Sequence, residues 1–372
     1  MGPSGPQSGE SDPVRVALIG YGLGGRVFHA PFIEATAGVE LAAVVTSNPQ
    51  RRAQVEAVHA GAVVLDSADA LWSAAGALGI DLVVVTTPNR SHVPLALASV
   101  EAGLAVVVDK PLTASASDGR RLVGEARRRG VPLSVFQNRR WDGDFLTVRR
   151  LVDAGALGDL HRFESRYERW RPQRSPEAWR ERSDPEDAGG LLADLGSHLI
   201  DQAVLLLGPP VSVYAELARR RPGAAVDDDV FVALEHRSGA RSHLWSSSVA
   251  ARPGPRFRVL GSDAAYTVWG MDPQEQALLQ GLRPGAADWG ASPPERAGAI
   301  GAGDVVTPVP TEPGNYGRFY ELVVPWLRSG GPPPVDPEDA LMTLEVIDRA
   351  RGASTSAPRT DASRSTVTGF VT

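Results

Sequence analysis

VRVALIGYGLGGRVFHAPF, residues 14–32, joins a run of β-formers directly to glycines, and the glycines directly to an amphipathic segment. Gly20, Gly22 and Gly25 form G-x-G-x-x-G with a strand predicted before it and a helix after it, the context in which this motif binds a dinucleotide. Gly20 lets the chain turn sharply off the strand. Gly22 has no Cβ to hold a pyrophosphate away from the backbone, and Gly25 lets the helix pack closely on the strand. The first N–H groups and the positive dipole end of that helix then face the phosphates. Leu23 and Gly24 complete the loop. In a chain with 39 glycines the motif alone is weak, and its flanks carry the reading over a plain glycine-rich turn.

From this stretch to about residue 137 the pattern alternates strand and helix. Strands are predicted at 14–20, 40–46, 62–65, 80–86, 104–109 and 132–137, most of them almost wholly apolar, as in LAVVVD. Such runs suit strands buried on both faces of a parallel sheet. With helical patterns such as PQRRAQVEAVHA and SDGRRLVGEARRRG between them, residues 14–137 read as a doubly wound, Rossmann-type NAD(P)-binding domain.

Beyond residue 137 the pattern changes. A helix is predicted at 142–155, a half-buried strand at 161–169 and a helix at 190–207 stopped by Gly208-Pro209-Pro210. Strand-like runs follow at 211–219, 229–236, 241–249, 256–260 and 264–269, with a hairpin turn at Ser238-Gly239. Consecutive strands without intervening helices predict an open antiparallel sheet with helices on one face. Residues 138–336 thus form a substrate and oligomerisation domain, with 283–314 a long ordered loop and helices at 315–329 and 337–350. The segment 337–351 is expected to pack back on the first domain. The Gly/Pro/Ser-rich residues 1–13 and the Ser/Thr-rich 352–372 read as tails, although Phe370 and Val371 can dock.

Length and composition bound the function. A chain of 372 residues accommodates two domains. Its net charge of −6 and pI near 5.7 argue against nucleic acid as a partner. The arginine runs 127–129 and 219–221 read as solvated faces. The absence of cysteine excludes disulfides and thiolate zinc sites and suits a cytoplasmic protein. No apolar run reaches the ~18 residues of a membrane span, so no membrane partner is expected.

Four segments carry candidate chemistry. The second strand runs LAAVVTSNPQRR, residues 41–52, without the acid that would bind the ribose 2′-hydroxyl of NAD. Thr46 and Ser47 supply hydroxyls, and Arg51 and Arg52 supply charge for a 2′-phosphate, which favours NADP over NAD. The alternative is that both arginines decorate the next helix. TTPNRSH, residues 86–92, ends the fourth strand, where ligands bind in such sheets. Thr87, Pro88, Asn89 and His92 are candidates there, with His92 equally readable as a packing histidine. Asp109-Lys110-Pro111 ends the fifth strand and places a positive charge beside the cleft, unless Lys110 merely pairs with Asp109. In GGLLADLGSHLIDQA, residues 189–203, Asp194, His198 and Asp201 fall at i, i+4 and i+7 on one helical face. A histidine oriented by an adjacent carboxylate is a general base. A metal site and a salt-bridged packing histidine fit the same spacing, but no third ligand or H-E-x-x-H supports a metal. Trp170, Arg171 and Tyr316 either pack on cofactor or substrate or belong to core and solvated surface.

Together the glycine motif, T-P-N-x-x-H, D-K-P and D-x-G-x-H-x-x-D resemble, in order and spacing, the glucose–fructose oxidoreductase / inositol dehydrogenase / MocA family over residues 14–350. Gly25-Arg26-Val27-Phe28-His29-Ala30-Pro31, NRRWDGDF (138–145), RYERWRP (166–172), DPQE…GLRPG (272–285) and NYGRFYE (315–321) resemble the branch that includes NADP-dependent scyllo-inositol dehydrogenases. The resemblance implies an NAD(P)-dependent oxidoreductase acting on a sugar or cyclic polyol. Lys110, Asp194 and His198 would then be the catalytic and substrate-binding trio, with Tyr316 also on the substrate. Asn138, Trp170 and Arg171 would join the loop glycines, Ser47, Arg51, Arg52, the 87–92 turn, Asp109 and Lys110 at the cofactor. Asp109 departs from the commoner glutamate of that motif, and the missing acid after the second strand departs from NAD-preferring members. Two other readings keep the same fold: a non-catalytic NADP(H) sensor, and a hydrolase or eliminase working through tightly held NAD. A homodimer or homotetramer is expected if the open sheet face is apolar, as Phe231, Leu234, Leu244, Trp245 and Val259 allow.

Overall fold

The computed structural model describes residues 12–175 and 178–356. The valine-rich runs form the strands β1 (Val14–Ile19), β2 (Val39–Val45), β3 (Val63–Leu65), β4 (Leu82–Val85), β5 (Ala105–Asp109) and β6 (Leu133–Phe136). They pair in parallel in the order β3-β2-β1-β4-β5-β6. Helices α1 (Ala30–Ala35), α2 (Pro49–Val58), α3 (Ala68–Ala74), α4 (His92–Glu101) and α5 (Ala116–Arg129) alternate with them. Local chemistry sets their ends. The Asn48 side chain caps α2 and Ser115 caps α5, while Gly130, at φ +66°, terminates α5 in the left-handed conformation. The strand order reverses between β1 and β4, so a crevice opens at their carboxyl ends, where such sheets bind ligands.

The second body begins with α6 (Gly143–Asp153) and β7 (Leu160–Glu168), then α7 (Ser197–Leu207), β8 (Pro210–Ala218), β9 (Asp229–His236), β10 (Arg241–Ser247), β11 (Phe257–Gly261) and β12 (Ala265–Val268). After α8 (Gln274–Leu279), β13 (Gly298–Ala302) and β14 (Val305–Val309) complete a sheet ordered β14-β13-β12-β11-β7-β10-β9-β8. The pairing of β7 with β10 is parallel and the rest is antiparallel. The segment 283–314 is therefore not a loop throughout. Its GAIGAGDVVTPV hides a hairpin, because glycine and alanine carry no strand signal. Gly301 is required there, since a Cβ would lie 2.0 Å from the Val305 carbonyl oxygen.

Leu234, Leu244 and Val259 point into the second core, beneath α6 and α7. Phe231 and Trp245 stand on the opposite face, in ring contact with each other, and Tyr214 beside them is 55% exposed. The apolar helical segment Pro185–Leu207 is long enough to cross a membrane by length and composition, but it is largely buried inside the protein. Arg221 departs from the expected solvated run and is buried on Asp228 and Glu181.

The C-terminal elements bind both bodies. In α9 (Arg318–Ser329), Phe319, Tyr320, Val323 and Trp326 are buried in the first core, with Tyr316 just before them. The boundary expected at 336 is thus corrected: this stretch packs with the nucleotide sheet. Helix α10 (Pro337–Ser356) extends past the expected limit of 351. It lays Leu341 and Leu344 in the first core and Val346, Ile347 and Ala350 in the second. Residues 1–11 and 357–372, including Phe370 and Val371, lie outside the described residues.

Candidate active site

At the end of β1 the backbone has the shape a dinucleotide needs. Gly20 sits at φ +102°, and a Cβ on Gly25 would lie 2.2 Å from the Gly20 carbonyl oxygen, so the loop cannot close around any other residue. A Cβ on Gly22 would meet nothing within 4 Å, which leaves the approach to that backbone open. The following turn, Gly24–His29, is π-helical, a local irregularity frequent at functional sites. Asp109, at the end of β5, brings Oδ2 to within 3.0 Å of where a Gly24 Cβ would stand. Burial would raise the Asp109 pKa, but His29, His92 and Lys110 outweigh it and hold the carboxyl below its usual range. Buried His29 lies 3.6 Å from Asp109 and is held on its other nitrogen by Tyr320 Oη at 2.6 Å. These glycines, with Leu23 half exposed and Asp109 beneath, fit a bound dinucleotide.

Lys110 follows Asp109 and ends at a cis peptide bond to Pro111. Its Nζ donates to Asp194 Oδ1 at 2.8 Å and to the Asp194 carbonyl at 2.7 Å. The pairing is therefore with Asp194, not Asp109, and it joins the two bodies. Asp194 lies in a π turn, Leu192–Gly196, at the head of α7. Burial would raise its pKa, but Lys110, Arg180 and Arg169 outweigh it, and the carboxyl stays ionised below the usual range. His198 is buried one turn on. Burial, with Lys110, Arg139 and Arg256 adding to it, pushes its imidazole well below 6.5. Its Nδ1 lies 3.0 Å from Gln137 Oε1, and among the described residues its Nε2 meets no hydrogen-bond partner.

The expected Asp194–His198–Asp201 face does not act as one unit. Asp201 is bound by Arg140 at 2.6 and 2.8 Å, and Arg140 reaches Asp339 of α10 at 3.0 Å. Among the described residues the side chain on His198 Nδ1 is the Gln137 amide and not a carboxylate. His92 is a packing histidine, with ring nitrogens 2.9 Å from the Pro111 and Thr87 carbonyls, so it ties the 87–92 turn to the Lys110–Pro111 turn. Asn89 spends its amide on the Asp187 carbonyl at 2.7 Å. Thr87 and Pro88 remain partly open. Tyr316 is fully buried, donating to Asp142 Oδ1 at 2.7 Å and accepting from Arg139 at 3.0 Å. It does not line the cleft, because its hydroxyl found buried charged partners. Asn138, next to Arg139 in sequence, is buried, whereas Trp170 is 58% exposed and Arg171 is exposed, both beyond the end of β7.

Arg52 is engaged by Asp66 and Glu56, but Ser47, just after β2, and Arg51, in the first turn of α2, are exposed. Sequence reasoning missed Gln137, Arg139, Asp142, Tyr167 and Arg256. Arg256 donates to Tyr167 Oη at 2.8 Å, and Tyr167 donates to Asp142 Oδ2 at 3.0 Å, which joins β7, β11 and the turn after β6 behind His198. The motifs NRRWDGDF and RYERWRP contain three of these partners, Arg139, Asp142 and Tyr167, and their polar residues next to aromatics were the available signal. Among the described residues, no group of three His, Cys, Asp or Glu is placed to hold a metal ion.

With this geometry, residues 14–137 match the family model described as an oxidoreductase family, NAD-binding Rossmann fold. Residues 145–267 match the model of the GFO/IDH/MocA C-terminal domain. The uncharacterized oxidoreductase YdgJ of Escherichia coli is 40% identical over 91% of this chain and 95% of its own length. The scyllo-inositol 2-dehydrogenase (NADP(+)) IolW of Bacillus subtilis is 34% identical over 92% and 94%. The solved structure of the oxidoreductase YvaA from Bacillus subtilis superposes with a TM-score of 0.86 at 32% identity, covering 93% of this chain and 97% of that one. Two matched domains in the right order on a Rossmann sheet and a mostly antiparallel sheet make this chain a member of the Gfo/Idh/MocA family of oxidoreductases.

Proposed function

We propose that the protein is a cytoplasmic NADP-dependent dehydrogenase acting on a secondary alcohol of a cyclic polyol or sugar. The observation that carries this reading is the Lys110–Asp194 ion pair beside a neutral, one-sidedly held His198, at the carboxyl edge of a nucleotide-binding sheet. The name of the similar IolW protein supports the substrate class and the cofactor. Gly20, Gly22, Leu23, Gly24 and Gly25 would hold the pyrophosphate, with Thr87, Asp109, Trp170 and Arg171 around the rest. The bound nicotinamide supplies a hydride acceptor for oxidation and a donor for reduction. His198 Nε2 accepts the hydroxyl proton as the carbinol is oxidised. Lys110 has two donors on Asp194, and its third is available to stabilise alkoxide charge. Asp194 fixes that ammonium in place. A panel of inositols and sugars with NADP and NAD, read at 340 nm, tests the reading. Absence of turnover with every neutral polyol would defeat it.

Cofactor preference rests on Arg51, because Arg52 is already paired. Arg51→Ala should weaken NADP binding by ~1.5–3 kcal/mol, the worth of one charge-assisted contact, and leave NAD binding unchanged. Arg52→Ala should leave both affinities nearly unchanged. Fluorescence titration of NADPH and NADH distinguishes the two, and equal binding of both by the wild type would refute the preference.

The face of exposed Tyr214 and half-buried Phe231 and Trp245 is suited to a second copy of the chain, giving a homodimer or homotetramer. Light scattering at micromolar concentration should show at least a dimer, and Trp245→Glu should lower the mass. A wild-type monomer would dismiss this assembly.

A further inference from the structure

A catalytic histidine is aligned through the ring nitrogen that faces away from the substrate, and the group that holds it decides which nitrogen carries the proton. Both acids near His198 in sequence are committed elsewhere, Asp194 to Lys110 and Asp201 to Arg140. The partner of Nδ1 is Gln137 Oε1, 3.0 Å away, with both residues buried. Gln137 follows β6, the last strand of the nucleotide sheet, while His198 belongs to α7 of the second body. We propose that Gln137 is the positioning residue of this base: its amide oxygen accepts the Nδ1 hydrogen, fixing the tautomer whose Nε2 lone pair receives the substrate's hydroxyl proton. The proposal rests on the reading of His198 as the base.

An uncharged partner has a chemical consequence. A carboxylate at this point would stabilise the imidazolium, whereas an amide orients the ring without adding charge. The other groups around His198 are Lys110 at the end of β5, Arg139 in the turn after Gln137, and Arg256 before β11. The Tyr167 ring of β7 also stands edge-on, with centroids 6.4 Å apart. Asp194, on the same helical segment, is neutralised by Lys110. The ring therefore sits among cations with a neutral orienter, and at neutral pH it is an unprotonated imidazole facing the cleft. The hydrogen bond also crosses between the bodies, so it registers the base against the sheet that carries the cofactor.

Nitrogen NMR of the full chain labelled at its histidines, assigned by loss of the His198 signals in His198→Ala, reads the tautomer directly. The wild type should show Nδ1–H and a bare Nε2. If the amide is turned over, its N–H donates to Nδ1, the Nε2–H tautomer appears and the proposal fails. Gln137→Leu should mix the tautomers and lower kcat about 10-fold, with the affinity for NADP unchanged. Gln137→Glu should raise the proton affinity of the ring at least ~10-fold, one pH unit, and shift the acid limb of kcat with it. Should Gln137→Glu fail to fold, the wild-type tautomer and the leucine variant still decide. An unchanged tautomer in Gln137→Leu overturns the proposal. The spectra need no turnover, so an Nδ1–H wild type that mixes in Gln137→Leu upholds the role of Gln137 even if no polyol is oxidised, an outcome that counts against the dehydrogenase reading alone.

Discussion

His198→Ala is expected to lower turnover by about 10²–10⁴, the range for loss of a general base, while NADP affinity stays near that of the wild type. His198 belongs to α7 of the second body and meets Gln137, whereas the glycine loop follows β1 of the first. The pH dependence carries further information. The base acts only when unprotonated, so alcohol oxidation is lost as the pH falls through its pKa. Burial and three cations place that pKa well below 6.5, so the limb lies on the acid side and the rate is level, on this account, from pH 7 upward. The variant should lack the limb. The same shift bears on stability. The unfolded chain binds a proton at this histidine below about pH 6.5, and the folded chain does not. His198 therefore weakens the fold as the pH drops below that value and costs nothing above it. Near-normal turnover of His198→Ala on a confirmed substrate would make the histidine structural and move the proton transfer to Lys110.

Arg140→Ala is expected to destabilise the protein by about 3–5 kcal/mol, the cost of leaving a buried charge without its partner. The guanidinium holds both oxygens of Asp201 and one of Asp339, and Asp201 has almost no access to water. Pairing Arg140→Met with Asp201→Leu should recover much of the loss, because the desolvation cost of both ions disappears with them. Denaturant unfolding of the single and double variants measures the difference. A loss below about 1 kcal/mol in the single variant would mean that water reaches Asp201.

The nucleotide-binding half was readable because its determinants are local. LVVV and AVVVD read as buried strands. Gly20 answers to its own φ of +102°, and Gly25 to the Gly20 carbonyl five residues before it. The hairpin at 298–309 escaped because GAIGAG has no side chains to alternate. Tyr316 was misplaced for a different reason: an aromatic hydroxyl reads alike whether it meets a ligand or Asp142, 174 residues away in sequence. The i, i+4, i+7 spacing placed Asp194, His198 and Asp201 correctly on one element, yet it did not show which partner each would take. Those partners, Lys110, Gln137 and Arg140, come from the other side of the cleft, 84, 61 and 61 residues earlier. Helical spacing reports the face a side chain shares; the partner is set by topology.

Helix α10 bears on any attempt to recombine this protein with a relative. Its N-terminal half is tied to α5 through Arg127–Glu338 and Arg120–Glu345, and its C-terminal half lies in the other core. A chimera cut only at residue 137, where the two family domains meet in sequence, would inherit a foreign α9 against its nucleotide sheet and a foreign α10 across its cleft. Exchange of the substrate-facing sheet therefore needs two cuts, one after β6 and one near Tyr316, with α9 and the α5-facing side of α10 kept from the nucleotide-binding parent. The second sheet is, in this sense, an insert carried between two ends of one Rossmann unit.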